Sequence, residues 1–176
     1  GLDALGGPKT DNMYHAGWAW AGSTPYKSTK LVGAHFGGTR QPMAVSWPKR
    51  IKADPVARPQ FHHVIDIVPT IYELTKITAP RVVNGFEQDP IAGVSMVYTF
   101  GNAKAPGTRK TQFFDIMASR GVYSDGWFAS APGPREPWVG GMPKGIKEWS
   151  PLTDRWELYN IDEDWSQAND LASANL

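Results

Sequence analysis

No cysteine occurs anywhere in the 176 residues. Disulfides, thiolate zinc sites and thiol nucleophiles are therefore excluded, while a cysteine-free chain tolerates either redox environment. Long apolar runs are missing too; none approaches the ~18–20 residues of a membrane-spanning helix. Neither sign of charge dominates, with 18 Lys and Arg against 17 Asp and Glu and a formal net charge of +1. The basic residues are scattered rather than clustered, so nucleic acid is not an expected partner. Residues 1–22 lack the basic and apolar regions of a signal peptide. The chain does not begin with Met and is expected to start mid-protein or after processing. The compartment stays open between cytoplasmic and periplasmic.

The common catalytic signatures are also absent. G-x-S-x-G, the phosphate-binding loop and G-x-G-x-x-G do not occur. The four histidines are His15, His35, His62 and His63, and no H-x-x-x-H or H-E-x-x-H pattern is present. Adjacent His62 and His63 point to different faces of a helix or strand and do not chelate together. Asp162-Glu163-Asp164 reads as a solvated charge run, so the expected metal ligands in this chain are none.

What the chain has in excess is 18 Gly, 15 Pro and 8 Trp, the mark of a loop-rich chain with many short elements. Residues 1–22 read as irregular, aromatic-studded loop. Pro42-Met43-Ala44-Val45-Ser46-Trp47-Pro48 predicts a short buried strand ended by Pro48. His63, Ile67, Ile71 and Leu74 fall at helical spacing, with Val64, Val68 and Tyr72 beside them. Pro69 fits only the first turn, so this helix is expected to start near Ile65 or Asp66, with the Asp66 carboxylate capping free amides. So short an apolar stripe must pack on something to hold. Residues 78–107 read as loop, with a turn signal at Asn84-Gly85. Thr111-Gln112-Phe113-Phe114-Asp115-Ile116-Met117 is strand-prone, and Ser124-Asp125-Gly126 between apolar runs predicts a hairpin. Residues 131–151, with Pro132, Pro134, Pro137, Pro143 and Pro151, read as one long excursion. Arg155-Trp156-Glu157-Leu158-Tyr159-Asn160 predicts a last strand. A strand and helix thus precede an antiparallel meander, and neither half looks complete.

Three stretches resemble the sulfatase family, in order. Pro25-Tyr26-Lys27-Ser28-Thr29-Lys30, then His35-Phe36-Gly37-Gly38-Thr39-Arg40-Gln41-Pro42 and the run closing in Trp47-Pro48, is similar to the family's Pro-aromatic-basic-x-x-Lys and Gly-Gly-x-Arg-x-Pro segment. Asp66-Ile67-Val68-Pro69-Thr70 resembles its Asp-x-x-Pro-Thr helix. Glu157-Leu158-Tyr159-Asn160, followed by Asp164 and Asn169-Asp170-Leu171-Ala172, resembles its closing stretch. The resemblance runs over residues 18–172 and is nearest to bacterial arylsulfatases. It implies an α/β fold: the C-terminal fragment of an alkaline-phosphatase-like sulfatase domain over residues 1–80, then a small antiparallel β subdomain with long loops over residues 81–176.

The same resemblance implies the chemistry. A sulfatase hydrolyses sulfate monoesters with a formylglycine nucleophile and a divalent cation, usually calcium. The nucleophile motif and the cation ligands would lie on sequence upstream of this chain. Ser23-Thr24-Pro25-Tyr26-Lys27 matches the nucleophile signature only superficially, with Lys for Arg and no paired aspartates before it. The implied partners are a sulfate-ester small molecule and the rest of the sulfatase domain, and this chain alone is expected to be inactive.

Lys30 takes the place of the family's active-site lysine. A preorganised ammonium stabilises the negative charge on the sulfate oxygens where water is excluded. Where the family has an acidic residue before Gly-Gly this chain has Phe36, and His35 beside it is a candidate substrate-pocket residue. Gly37 and Gly38 are expected to shape the turn, Arg40 to form a structural ion pair, and Lys27 to lie on the surface. Two other readings stand beside this one. One is a phosphatase or phosphonate hydrolase of the same superfamily. The other is a carbohydrate-binding module using Trp18, Trp20, Trp127, Trp138 and Trp149.

Overall fold

Asp125 and Gly126 both have positive φ, 44° and 90°. This is the geometry that closes a two-residue hairpin with the twist its strands need. The computed structural model, which describes residues 1–11, 13–136, 139 and 141–175, places the hairpin at the centre of its main sheet. In chain order the elements are helix α1 (Ala16–Ser23), the short helix α2 (Phe36–Thr39) and helix α3 (Ile67–Thr75). Two short strands follow, β1 (Val82–Val83) and β2 (Phe86–Glu87). The sheet strands are β3 (Thr111–Ile116), β4 (Ser119–Ser124), β5 (Trp127–Ala131) and β6 (Glu157–Asn160), and helix α4 (Ala172–Asn175) comes last. The four sheet strands are ordered β3-β4-β5-β6. Ser124 pairs with Trp127 across the Asp125-Gly126 turn, and Phe128 pairs with Tyr159 across β5 and β6. No helix among the described residues is long and apolar enough to cross a membrane.

The chain divides into two compact units. One comprises residues 1–42 and 113–176, the other residues 43–112.

In the first unit the core forms where the alternation of the strands meets the segment before α2. Phe128 and Tyr159 are fully buried, as are Val32, Ala34 and Phe36. Phe36 packs against Phe128 with ring centroids 4.9 Å apart and planes tilted by 55°, and the Phe114 ring lies 6.0 Å from Phe128. The closing stretch covers the open edge of β6. Leu171 donates its backbone N–H to the Leu158 carbonyl, and Asp170 accepts the Leu158 N–H at 3.0 Å. An edge strand left bare would template aggregation, so this docking protects it.

In the second unit α3 shows its polar side inward. Asp66 and Thr70 are buried, while Ile67, Val68 and Ile71 are exposed at 37%, 50% and 53%. The buried Thr70 hydroxyl donates to the Asp66 carbonyl and accepts the Met96 N–H at 2.9 Å. The Asp66 carboxylate accepts the backbone N–H groups of His63 and Val94 and a paired hydrogen bond from the Arg109 guanidinium. The Asp-x-x-Pro-Thr motif is therefore a clamp that ties residues 94–109 to the helix. This is more than the capping role expected of Asp66, whose carboxylate also holds chain 28 and 43 residues away.

Two expectations about local structure are corrected. Residues 41–47 carry no strand, and Met43 and Val45 are exposed at 55% and 47%. An apolar run becomes a buried strand only beside a neighbour, and this one has none among the described residues. Residues 16–23, read as loop, form α1, with the His15 ring accepting the Gly17 N–H as an N-cap. Trp18 and Trp20 sit on different faces of that helix, so no apolar stripe marked it in the sequence.

Candidate functional site

Lys30 sits in the loop between α1 and α2, exposed, and among the described residues its ammonium makes no hydrogen bond or ion pair. The backbone around it is unusual. Ser28 and Leu31, two residues before it and one after, both lie in the left-handed region, with φ of 60° and 73°. For residues other than glycine this conformation costs roughly 1–2 kcal/mol each, so surrounding contacts must hold the loop.

Those contacts come from two directions. Beneath the loop lies the Gly-Gly pair of α2. A Cβ on Gly37 would sit 2.0 Å from the Ser28 carbonyl oxygen and 2.3 Å from that of Lys27, and one on Gly38 would sit 2.1 Å from that of Val32. The Gly37 N–H donates to the Lys27 carbonyl at 2.8 Å. Only a residue without a side chain allows so close a backbone approach. The pair therefore seats the Lys30 loop, where the sequence suggested only that it shapes a turn.

From the other side come β6 and the loop after it. His35 Nδ1 lies 2.8 Å from Ser28 Oγ and its Nε2 lies 3.0 Å from Glu157 Oε2. The Tyr159 hydroxyl donates to the same Glu157 oxygen at 2.8 Å and accepts from Lys27 Nζ at 2.9 Å. The Lys27 ammonium also lies 4.9 Å above the Tyr159 ring. The His35 hydrogen bond, helped by those of Tyr159 and the nearby Lys27 charge, keeps the Glu157 carboxyl below its ordinary range although burial opposes this. Burial and the Glu157 carboxylate push the Tyr159 phenol far above its ordinary range. The fully buried Gln167 amide accepts the Phe36 N–H at 2.8 Å and donates to the Ala34 carbonyl at 3.1 Å.

Lys30 and His35 thus share one small region, with Lys30 open to solvent and His35 largely buried behind it. Both ring nitrogens of His35 are engaged within the chain. Lys27 is half-buried and hydrogen-bonded, not a surface residue as expected. Arg40 forms no ion pair among the described residues; it lies over the rings of Tyr26 and Phe36 and reaches the Trp165 carbonyl. Glu157, Tyr159, Ser28 and Gln167 were missed as site residues. The signal for two of them was present, because Glu157 and Tyr159 alternate in one motif and must lie on the same strand face at β spacing only if Leu158 intervenes, which it does.

Among the described residues no group of three His, Asp or Glu side chains could hold a metal ion. Trp18 and Trp20 project from α1, and Trp149 is tied to Asp154 and covered by Arg120. Trp138 lies outside the described residues.

No protein-family model matches the chain. A curated relative, an uncharacterized sulfatase of Schizosaccharomyces pombe (strain 972 / ATCC 24843), is 27% identical over 177 residues, covering 99% of this chain and 29% of the relative. A solved Bacteroides thetaiotaomicron sulfatase structure, reported with the metabolism of multiple glycosaminoglycans, matches 81% of this chain and 27% of its own, with a TM-score of 0.54 and 21% identity. The chain thus spans under a third of the length of either. The likeness in sequence to one sulfatase and in fold to another agrees with the resemblance read from the motifs, and the mixed α/β fold with a small antiparallel sheet agrees with the expected fold class.

Proposed function

We propose that this chain is a portion of a sulfatase that hydrolyses sulfate monoesters of the arylsulfatase type, and that Lys30 is its sulfate-contacting residue. The observation that carries the reading is Lys30 itself: an exposed ammonium on a loop of strained backbone, braced by the Gly37-Gly38 pair and by β6. Catalytic groups are commonly held in such costly, over-determined loops. In this role Lys30 would neutralise charge on the non-bridging oxygens of the sulfate and hold the group in place. His35 would line the substrate pocket from behind through Ser28.

A larger domain around this chain is supported by what it leaves bare. The apolar residues of α3 face outward, and among the described residues the apolar run before Pro48 has no strand beside it. In this reading residues 1–80 end the main α/β domain and residues 81–176 form the antiparallel subdomain, a division that crosses both compact units of the chain. The formylglycine nucleophile and the divalent cation, calcium by resemblance, would supply nucleophilic attack and charge neutralisation from residues outside this chain.

The test is turnover of an aryl sulfate. The purified 176-residue chain with calcium added is expected to show none. In the full-length protein Lys30→Ala is expected to lower kcat about a hundredfold or more, the size of effect seen when one transition-state charge contact is removed. Turnover by the isolated chain, or an unchanged full-length Lys30→Ala enzyme, would overturn the reading. A preference for aryl phosphate over aryl sulfate would favour the phosphatase alternative.

A further inference from the structure

We propose that Glu157 is a positioning residue for Lys30, acting through two hydrogen-bonded arms that end on the residues just before it. This rests on the reading of Lys30 as the sulfate-contacting group, and adds what holds that group in place.

The direction of each hydrogen bond follows from the chemistry of its members. An ionised carboxylate can only accept, so the His35 Nε2–H and the Tyr159 O–H both donate to Glu157 Oε2. The other ring nitrogen, Nδ1, shares a hydrogen bond with the Ser28 hydroxyl, which can donate or accept as the ring requires. The Tyr159 oxygen, its hydrogen committed to Glu157, accepts from Lys27 Nζ. Both arms therefore start from one carboxylate oxygen. One arm runs from Glu157 through His35 to Ser28; the other runs through Tyr159 to Lys27.

The two arms end on consecutive residues of the strained loop. Ser28 carries the first left-handed backbone, and Lys27 supplies the carbonyl that receives the Gly37 N–H. Fixing residues 27 and 28 leaves Lys30 two residues from a clamped point, with Gly38 and its neighbours blocking the loop from below. Glu157 reaches across 122 residues of sequence to do this, and its carboxylate hydrogen bonds among the described residues go to His35 and Tyr159 rather than to Lys30. Hydrogen bonds to a charged, half-buried acceptor are stronger than neutral ones, which suits a carboxylate at this node.

The experiment is hydrogen exchange by mass spectrometry on the full-length protein, alongside aryl sulfate kinetics, for Glu157→Gln, Tyr159→Phe and Lys30→Ala. Glutamine keeps the shape of Glu157 but not its charge. Tyr159→Phe cuts one arm without changing the ring, and decides the matter should the first variant fail to fold. Both are expected to speed exchange of residues 26–33 at least tenfold while residues 119–131 exchange as before. Both are expected to lower kcat about tenfold, and by less than twofold when added to Lys30→Ala, since a group that acts through Lys30 has nothing left to position. Unchanged exchange in residues 26–33, equal loosening of the whole sheet, or full additivity with Lys30→Ala would each overturn the proposal. An active Lys30→Ala enzyme would instead overturn the reading of Lys30, and Lys30→Ala is expected to leave exchange around Glu157 unaltered in either case.

Discussion

Glu157 in the last strand of the sheet and His35 at the mouth of α2 meet at 3.0 Å, although 122 residues separate them in the chain. That contact joins the first of the sulfatase-like motifs to the last. The motifs follow one another in sequence without touching; in the folded chain the closing stretch is what holds the Lys30 loop.

Gly37→Ala is expected to destabilise the chain by about 3 kcal/mol, the upper range for inserting a methyl group into packed surroundings. The new Cβ would meet two backbone carbonyl oxygens, which cannot swing aside as a side chain could. Chemical denaturation should show a lower midpoint at an unchanged slope. Gly1→Ala, with nothing within 4 Å of its Cβ, is the control.

Gln167→Ala should cost about 2–4 kcal/mol. The Gln167 side chain satisfies the buried Phe36 N–H and the Ala34 carbonyl, and orphaning a buried polar group costs roughly 1–3 kcal/mol. Thermal unfolding of the variant reads the loss directly. Gln167→Glu should restore it only in part, because the carboxyl must first be protonated to donate to Ala34.

Acid should destabilise the chain through carboxylates that folding holds low, Asp66 and Glu157 among them. Burial alone would raise Asp66, but Arg109 and the N–H groups of His63 and Val94 hold it below the ordinary range. Glu157 is held low in the same sense by His35. Both folded values lie below the unfolded ones, so the stabilisation is complete above the unfolded values, about pH 4, and is lost as pH falls below them. Asp66→Asn should remove part of this acid dependence and, by leaving Arg109 buried without its charge partner, cost about 3–5 kcal/mol at neutral pH. Denaturant titrations between pH 2 and 7 check both statements.

The exposed face of α3 should behave differently in the two settings. Replacing Ile67 and Ile71 with Ser in the isolated chain should reduce aggregation with little change in Tm, because both side chains already face solvent. In the full-length protein the same pair should destabilise by several kcal/mol, at roughly 1.5–3 kcal/mol for each buried aliphatic side chain. Light scattering and calorimetry on the two forms make the comparison.

The elements that the sequence made legible are those whose signal is local. The hairpin at Asp125-Gly126 needs only two residues that tolerate positive φ between strand-prone runs, and the start of α3 needs only the fixed φ of Pro69. Helix α1 was not legible because Trp18 and Trp20 do not share a face. The run before Pro48 misled because its composition asks for a neighbouring strand that the described chain does not provide. In the site, Lys30 and His35 could be named from motif spacing. Their bracing by Ser28, Glu157, Tyr159 and Gln167 could not, since no local pattern records a contact across more than a hundred residues.

The absence of cysteine, the balanced charge and the ordered motifs were settled by the sequence alone, because each is a property of residue identity and spacing. Which side of α3 faces inward, why two glycines follow His35 and Phe36, and where the free ammonium of Lys30 stands were decided only by the tertiary structure. Each depends on how closely distant backbones approach. Polar Thr70 and Asp66 turn inward because they alone can satisfy the N–H groups brought to them from residues 94 and 96. That requirement exists only once the chain has folded back on itself.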